Sequence, residues 1–178
     1  MLYLYKQKNM KLLFLFIFIS FIGFGQSINT LIIQRVNNYR VQNHLKPLIV
    51  SDESKSLNDQ QLNYMVETST VPLDHTQKIK TTYPKTFNDF RDRVNYIYNN
   101  QYNYVGENLY GAVYEGDKDE VAETIFKSWV NSPSHNEILL DPNPTGIYVD
   151  YRITHKMIVN DITYDCCDFI YCVLTIYK

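Results

Sequence analysis

Cysteine is scarce in this chain, and so are the residues that mark repetitive or unstructured proteins. The 178 residues include 3 Cys, 6 Gly, 6 Pro and 1 Trp. Three cysteines are too few for a disulfide scaffold, and so little glycine and proline excludes collagen-like and linker-like sequence. The 17 basic and 19 acidic residues leave no strongly cationic surface, so we expect no nucleic-acid partner.

What the chain does contain is typical of one globular domain. It is 45% hydrophobic and 20% charged, which is an ordinary globular composition, and its length fits one domain. Tyrosine is abundant, with 16 residues. We interpret this richness as packing and sheet surface, because aromatic residues are favoured in strands.

The N-terminus has the three-part layout of a secretory signal peptide. Three lysines precede an apolar run over residues 12–24, and small residues lie just before Gln26, as a signal peptidase requires. The run is shorter than the roughly 20 apolar residues of a membrane-spanning helix, although an uncleaved membrane anchor is the alternative. We therefore predict a signal peptide over residues 1–25. The mature domain, residues 26–178, is expected to be secreted or held in the cell envelope, with no membrane span after signal removal.

The mature chain is predicted to place most of its helices before its strands. Apolar residues that recur every three or four positions indicate helices, and β-type residues between turn signals indicate strands. The predicted helices cover residues 28–44, 51–68, 89–98 and 117–131, with a further turn that begins at Pro133. The predicted strands cover residues 104–114, 147–153, 156–164 and 168–177, and a long loop covers residues 69–88. This order lacks βαβ alternation and predicts an α+β fold with a mainly antiparallel sheet.

Three of these helices have an apolar side that the sequence defines. In the first helix, Ile28, Leu31, Ile32, Val36 and Tyr39 recur at three- and four-residue spacing. Phe90, Val94 and Ile97 fall on one side of the third helix. Trp129 lies on the apolar face of the fourth helix together with Ile125. We therefore expect Trp129 to pack against the sheet as a structural residue.

Two histidines and one acid are the candidate site residues. His75 follows the second predicted helix, His135 ends a Ser-Pro-Ser-His run, and Glu107 stands with Asn108 at the entrance of a strand. Their spacing alone matches no metal motif, since the chain has no HExxH pattern and no CxxC pair. Glu107 and Asn108 equally suit a structural role in which they bond nearby backbone N–H groups.

Other chemically active residues are interpreted as structural. His44 lies at the end of a helix, where an imidazole can sit near carbonyls, and His155 lies in a predicted hairpin turn, where it is solvated. Ser132 is interpreted as a helix cap rather than a nucleophile, because Pro133 follows it and no Gly-x-Ser-x-Gly sequence surrounds it.

The three cysteines are interpreted as free thiols, buried or at the surface. They are Cys166, Cys167 and Cys172. On one strand the last two would lie roughly 16 Å apart, whereas a disulfide needs Cα atoms within about 7 Å. No histidine is close in sequence to complete a metal site, and any pairing scheme leaves one cysteine over.

A series of short motifs runs through nearly the whole mature chain. In order, they are Val36-Asn37-Asn38-Tyr39-Arg40, Leu45-Lys46-Pro47-Leu48, Asp74-His75-Thr76, Arg93-Val94, Val105-Gly106-Glu107-Asn108-Leu109, residues 128–139 and Thr145-Gly146-Ile147. Together they resemble the CAP superfamily of cysteine-rich secretory proteins, antigen 5 and plant pathogenesis-related proteins. The closer match is its bacterial branch of SCP-like extracellular domains. The Gly-Glu-Asn and Trp-x-x-Ser-Pro-x-His elements carry most of this resemblance.

The resemblance implies both a fold and a site. The family fold is an α-β-α sandwich around a central sheet, and a large cleft in it is lined by two histidines and two acids. His75 and Glu107 match the first histidine and the Gly-Glu-Asn acid, so we expect them to lie within side-chain reach, and His135 matches the bacterial Ser-Pro-x-His position. Two places depart from eukaryotic members: Ser132 replaces the second acid, and residues 143–145 replace the run that holds the second histidine.

The same resemblance favours a binding module over an enzyme. Members are mostly described as binding or signalling modules, no activated nucleophile is visible here, and Ser132 removes an acid. We therefore expect a secreted protein that binds a small-molecule or lipid-like ligand, or a cell-envelope component, through a cleft of His75, Glu107, His135 and Asn108. One alternative is a metal-dependent hydrolase in which His75 and His135 ligate zinc beside Glu107. Another is an envelope interaction domain whose cleft is vestigial.

Overall fold

The computed structural model describes residues 25–71, 73–77, 86–99, 101 and 105–178. Apart from Gly25, the predicted signal peptide lies outside the described residues, and so do residues 72 and 78–85 of the predicted loop. Within the part of the chain that is described, no helix has both the length and the apolar character needed to cross a membrane.

Five helices and seven strands form the described fold. The helices are α1 (Ile28–Gln42), α2 (Lys55–Thr68), α3 (Phe90–Tyr98), α4 (Lys118–Asn131) and α5 (Pro133–Leu140), and a 3₁₀ turn spans Asp52–Ser54. The strands are β1 (Ile49–Val50), β2 (Thr70–Val71), β3 (Val105–Val113), β4 (Gly146–Thr154), β5 (Met157–Val159), β6 (Ile162–Tyr164) and β7 (Phe169–Tyr177). The predicted helices and the longer predicted strands are confirmed to within a few residues.

The central sheet has four strands in the order β1-β4-β7-β3. β7 pairs antiparallel with β3 on one side and with β4 on the other, whereas the short β1 adds a parallel pair at the outer edge of β4. All nine residues of β7 are buried. This explains why its sequence is a continuous apolar run rather than an alternation, since neither of its faces meets water.

Helices cover both faces of this sheet, which makes the α-β-α sandwich. Cys172, Leu174 and Ile176 of β7 point to the face covered by α1, α4 and α5. Tyr171 and Val173 point to the opposite face, together with residues of α2. The two cores therefore follow from side chains that alternate along one buried strand. The expected α+β class is confirmed.

Trp129 anchors α4 to the sheet, as the sequence predicts. Its side chain is fully buried in the larger core, and its indole Nε1 donates a hydrogen bond of 2.9 Å to the carbonyl oxygen of Leu109 on β3. Because a buried indole N–H needs an acceptor, this bond fixes the ring against the strand that carries the candidate acid.

A second, smaller sheet was not predicted. It has the order β2-β5-β6, with β2 parallel to β5 and β5 antiparallel to β6. The prediction of one strand over residues 156–164 is wrong, because Asn160 and Asp161 turn the chain with φ values of 49° and 64°. Asn and Asp tolerate this left-handed backbone and favour tight hairpins. The two-residue β2 lies in the predicted loop and is too short to give a periodic pattern.

Several helix ends differ from prediction in detail. Ser51 caps the 3₁₀ turn by accepting from the Glu53 N–H, so the α-helix begins only at Lys55. Ser132 occupies the N-cap position of α5, but its side chain makes no capping hydrogen bond. His44 follows α1 in the left-handed region, with φ of 62°, where glycine is favoured. It is exposed, and its structural role stays a prediction.

Candidate functional site

Glu107 is held inside the protein at the edge of the central sheet. It lies opposite Thr175 in the pairing of β3 with β7, and its side chain is 1% exposed. Side chains alternate along a strand, so Glu107 shares a face with Leu109, which packs in the core beneath α2. A carboxylate that is buried this deeply must be paired or hydrogen-bonded.

His75 supplies one of those partners. Its Nδ1 lies 2.8 Å from Oε1 of Glu107, across 32 positions of the chain. Because a carboxylate only accepts hydrogen bonds, Nδ1 carries the proton and donates it. The His75 side chain is 42% exposed, and Nε2 has no hydrogen-bond partner among the described residues. The expected side-chain contact between His75 and Glu107 is present, and it engages only one of the two ring nitrogens.

Arg93 supplies the other partner, and the sequence did not single it out as a site residue. Its guanidinium forms an ion pair with Oε2 of Glu107, and its side chain is 0% exposed. It also donates to Oε1 of Gln61 and, at 3.3 Å, to the backbone oxygen of His75. Arg93 therefore holds both the acid and the backbone of the histidine that contacts it. The sequence signal that could have indicated its burial was its place three residues after Phe90, near the apolar side of α3.

A cluster of three glutamines fastens the His75 segment to α2. Nε2 of Gln77 donates to Oε1 of Gln61 at 2.8 Å, and Nε2 of Gln60 donates to Oε1 of Gln77 at 3.2 Å. Gln61 in turn donates to the backbone oxygen of Asp74 at 3.1 Å. All three glutamines are buried. Asp74 and Gln77, on either side of His75, are thereby bonded to α2.

The backbone of His135 is bonded to β3 by the residue that follows Glu107. Asn108 points away from Glu107 along β3, is fully buried, and donates from Nδ2 to the backbone oxygen of His135 at 3.1 Å. The pKa of His135 is lowered, first by partial burial and second by its electrostatic interaction with His75. The position of His135 in a shared site with His75 stays a prediction. Oδ1 of Asn108 has no partner among the described residues.

The donor set fits a zinc ion poorly. Both oxygens of Glu107 already accept hydrogen bonds, from His75 and Arg93, and a guanidinium at the carboxylate opposes a second cation there. In the part of the chain that is described, no three His, Cys, Asp or Glu side chains are placed to share one ion. Glu107 therefore does not fit as a third ligand beside His75 and His135.

The remaining residues considered from the sequence take other roles. Ser132 contacts Ser134, with 3.4 Å between the hydroxyl oxygens, and Asn143 bonds the side chain of Asp141. His155 is 86% exposed and pairs with Asp168, in agreement with its predicted solvated turn. Neither the Ser132 position nor the 143–145 segment contributes an acid or a histidine to the site.

A match to a family sequence profile identifies the family. The sequence profile of the cysteine-rich secretory protein family, CAP, matches residues 33–147, which include His75, Arg93, Glu107 and His135. The chain belongs to the CAP family. No curated protein matches this CAP chain.

Solved structures agree on the fold. An outer surface protein from Borrelia burgdorferi is similar with a TM-score of 0.56 at 18% identity, over 84% of this chain and 90% of that one. An extracellular protein with an SCP domain from Bacillus anthracis gives a TM-score of 0.52 at 20% identity, over 85% of this chain and 40% of that one. A cysteine-rich secretory protein from Staphylococcus aureus gives 0.50 at 16% identity, over 85% and 38%. This chain thus matches about two fifths of the length of each of the last two proteins.

Proposed function

We propose that this CAP domain is exported and acts as a non-enzymatic binding module for a small polar or lipid-like ligand. The observation that carries the proposal is the engagement of Glu107 on both oxygens, by His75 and by Arg93. A carboxylate used in this way positions its histidine. It is not free to act as a metal ligand or as a general base.

His75 is the residue that contacts the ligand in this proposal. With Nδ1 held by Glu107, the neutral ring offers Nε2 as an acceptor for a hydroxyl or N–H group, and the protonated ring offers a donor to an anionic head group. The partly buried His135 adds a second imidazole, and its lowered pKa favours the neutral form. The oriented ring of His75 and the mostly neutral ring of His135 suit the polar end of a ligand.

Loss of the second acid supports binding over hydrolysis. The family's eukaryotic acid position holds Ser132, whose hydroxyl interacts with Ser134 and not with His75 or His135. A hydrolase would need a base or nucleophile beyond the positioned His75. The exported location is supported by the apolar N-terminal run and by the extracellular SCP protein among its structural neighbours.

The test is to identify what the secreted protein carries. The full-length chain is expressed for export, and the purified protein is extracted with organic solvent, analysed by mass spectrometry and assayed for zinc. A bound polar or lipid-like molecule should accompany wild type and the control His155→Ala, and should fall at least tenfold in His75→Ala. Equal amounts in all three proteins, or no bound molecule in wild type, would reject the proposal. Stoichiometric zinc lost in His75→Ala would support the hydrolase instead.

A further inference from the structure

Two adjacent cysteines lie in contact between the small sheet and the central strand. Cys166 and Cys167 follow β6 and precede β7, and their Sγ atoms are 3.3 Å apart. Cys166 is exposed and Cys167 is partly exposed, whereas Cys172 is buried within β7. The chain therefore has one accessible pair of thiols and one enclosed thiol.

We propose that Cys166 and Cys167 are a reversible oxidation site that closes a disulfide between neighbouring residues when the protein meets a low-molecular-weight disulfide. The thiolate of one cysteine attacks a sulfur of the small disulfide, so that a mixed disulfide forms and one small thiolate leaves. The neighbouring thiolate then attacks the protein sulfur of that mixed disulfide and expels the second small thiolate. Two protein thiols are oxidised, one small disulfide is reduced to two thiols, and the two cysteine protons pass to the leaving groups.

Contact between the two sulfurs favours the second step over escape. A thiol already 3.3 Å from its neighbour attacks within the same molecule, whereas an isolated surface cysteine stops at the mixed disulfide. Adjacent Cα atoms are about 3.8 Å apart, which is shorter than the usual disulfide span of about 4.4–6.8 Å. The ring is therefore strained and easily reduced, as expected of a regulatory bond rather than a structural one.

Cys172 does not compete for this reaction. It is fully buried, and burial raises the pKa of its thiol far above the ordinary range. A buried thiol without a stabilising positive charge stays protonated and inert. The exchange is thereby confined to the segment before β7.

The surroundings of Cys167 disfavour its thiolate at neutral pH. The pKa of the Cys167 thiol is raised, first by its hydrogen bond with Cys166 and further by the nearby carboxylates of Glu115 and Asp168. Asp168 itself pairs with His155, and its backbone oxygen accepts from the Tyr114 N–H at 2.8 Å. Attack by the Cys167 thiolate therefore becomes faster as the pH rises.

The experiment is exchange with oxidised glutathione, followed by intact mass and peptide analysis. Exported wild type should lose two hydrogens, carry no glutathione, and fall from three titratable thiols to one after denaturation. The loss should map to the peptide that contains Cys166 and Cys167, and excess reduced glutathione should restore three thiols. The matched variants Cys166→Ser and Cys167→Ser should each retain one glutathione. Wild type that keeps glutathione, forms covalent dimers, remains unchanged or resists reduction would overturn the proposal.

Discussion

Arg93 and Glu107 form an ion pair that protein encloses on all sides, with side-chain exposures of 0% and 1%. Bringing two charges out of water costs free energy that their attraction offsets only when the geometry is good and other hydrogen bonds are satisfied. Here Glu107 also contacts His75 and Arg93 also donates to Gln61, while Nε of Arg93 has no partner among the described residues. The pair therefore serves to fix His75, and the stability of the folded protein depends on both partners being present.

Replacing Glu107 by Gln should destabilise the fold strongly. The variant leaves the Arg93 guanidinium buried without a counter-charge, and loss of one member of a buried pair typically costs about 3–5 kcal/mol. The free energy of unfolding from urea titration measures this loss. Glu137→Gln is the matched control, because Glu137 is exposed and such surface changes stay within about 0.5 kcal/mol.

A double variant separates the lost pair from a general packing defect. Arg93→Met with Glu107→Met removes both buried charges, so it should cost less than the two single substitutions combined. Strict additivity, or a Glu107→Gln protein as stable as Glu137→Gln, would show that the ion pair does not act as a unit.

The elements that the sequence predicted well are those with a strong periodic pattern. The apolar faces of α1 and α4 and the continuous run of β7 each carry enough residues to define a period. The small sheet was missed because its strands have two or three residues, and because the hairpin at Asn160 and Asp161 interrupts an otherwise β-like run. The periodic pattern of apolar residues does not indicate strand pairs as short as these.

The site shows a different limit of sequence reasoning. The meeting of His75 and Glu107 was expected from the family motifs and not from their spacing, since 32 positions separate them. Arg93 and Gln61 were missed because polar residues on a helix are ordinarily solvated. Only the folded arrangement shows that these two side chains point inward, where Arg93 pairs with the Glu107 carboxylate and Gln61 bonds the backbone oxygen of Asp74.

Truncating Trp129 should be among the most destabilising changes outside the site. Its side chain is fully buried, and Trp→Ala in a core typically costs about 3–5 kcal/mol. Trp129→Phe keeps most of the packing but leaves the Leu109 carbonyl without its donor, which should cost about 1–3 kcal/mol. Thermal unfolding ranks the three proteins. A melting temperature of Trp129→Ala equal to that of wild type would contradict the role of this residue in the core.

Export should remove the N-terminal run. Small residues before Gln26 match the signal peptidase preference, so the secreted protein should begin at Gln26 or within about three residues of it. Intact mass and N-terminal sequencing of protein from the culture medium give this position. Replacing Gly23 and Gly25 with bulky residues should block cleavage and leave the chain in the membrane fraction. A wild-type chain found there with its apolar run intact would instead identify a membrane anchor.

Stability should fall as the pH drops through the ordinary histidine pKa, and His135 should account for part of the loss. Burial first, and the neighbouring His75 second, lower the pKa of His135 from its ordinary value of 6.5. Below 6.5 the unfolded chain therefore takes up a proton that the folded chain resists, so acid favours unfolding until the pH passes the folded pKa. His135→Gln cannot bind that proton, and its free energy of unfolding should decline less than that of wild type between pH 8 and pH 5. In a His75→Gln background the effect of His135 should shrink but persist, because burial remains. Parallel pH profiles for wild type and His135→Gln would show that the imidazole titrates alike in the folded and unfolded chains.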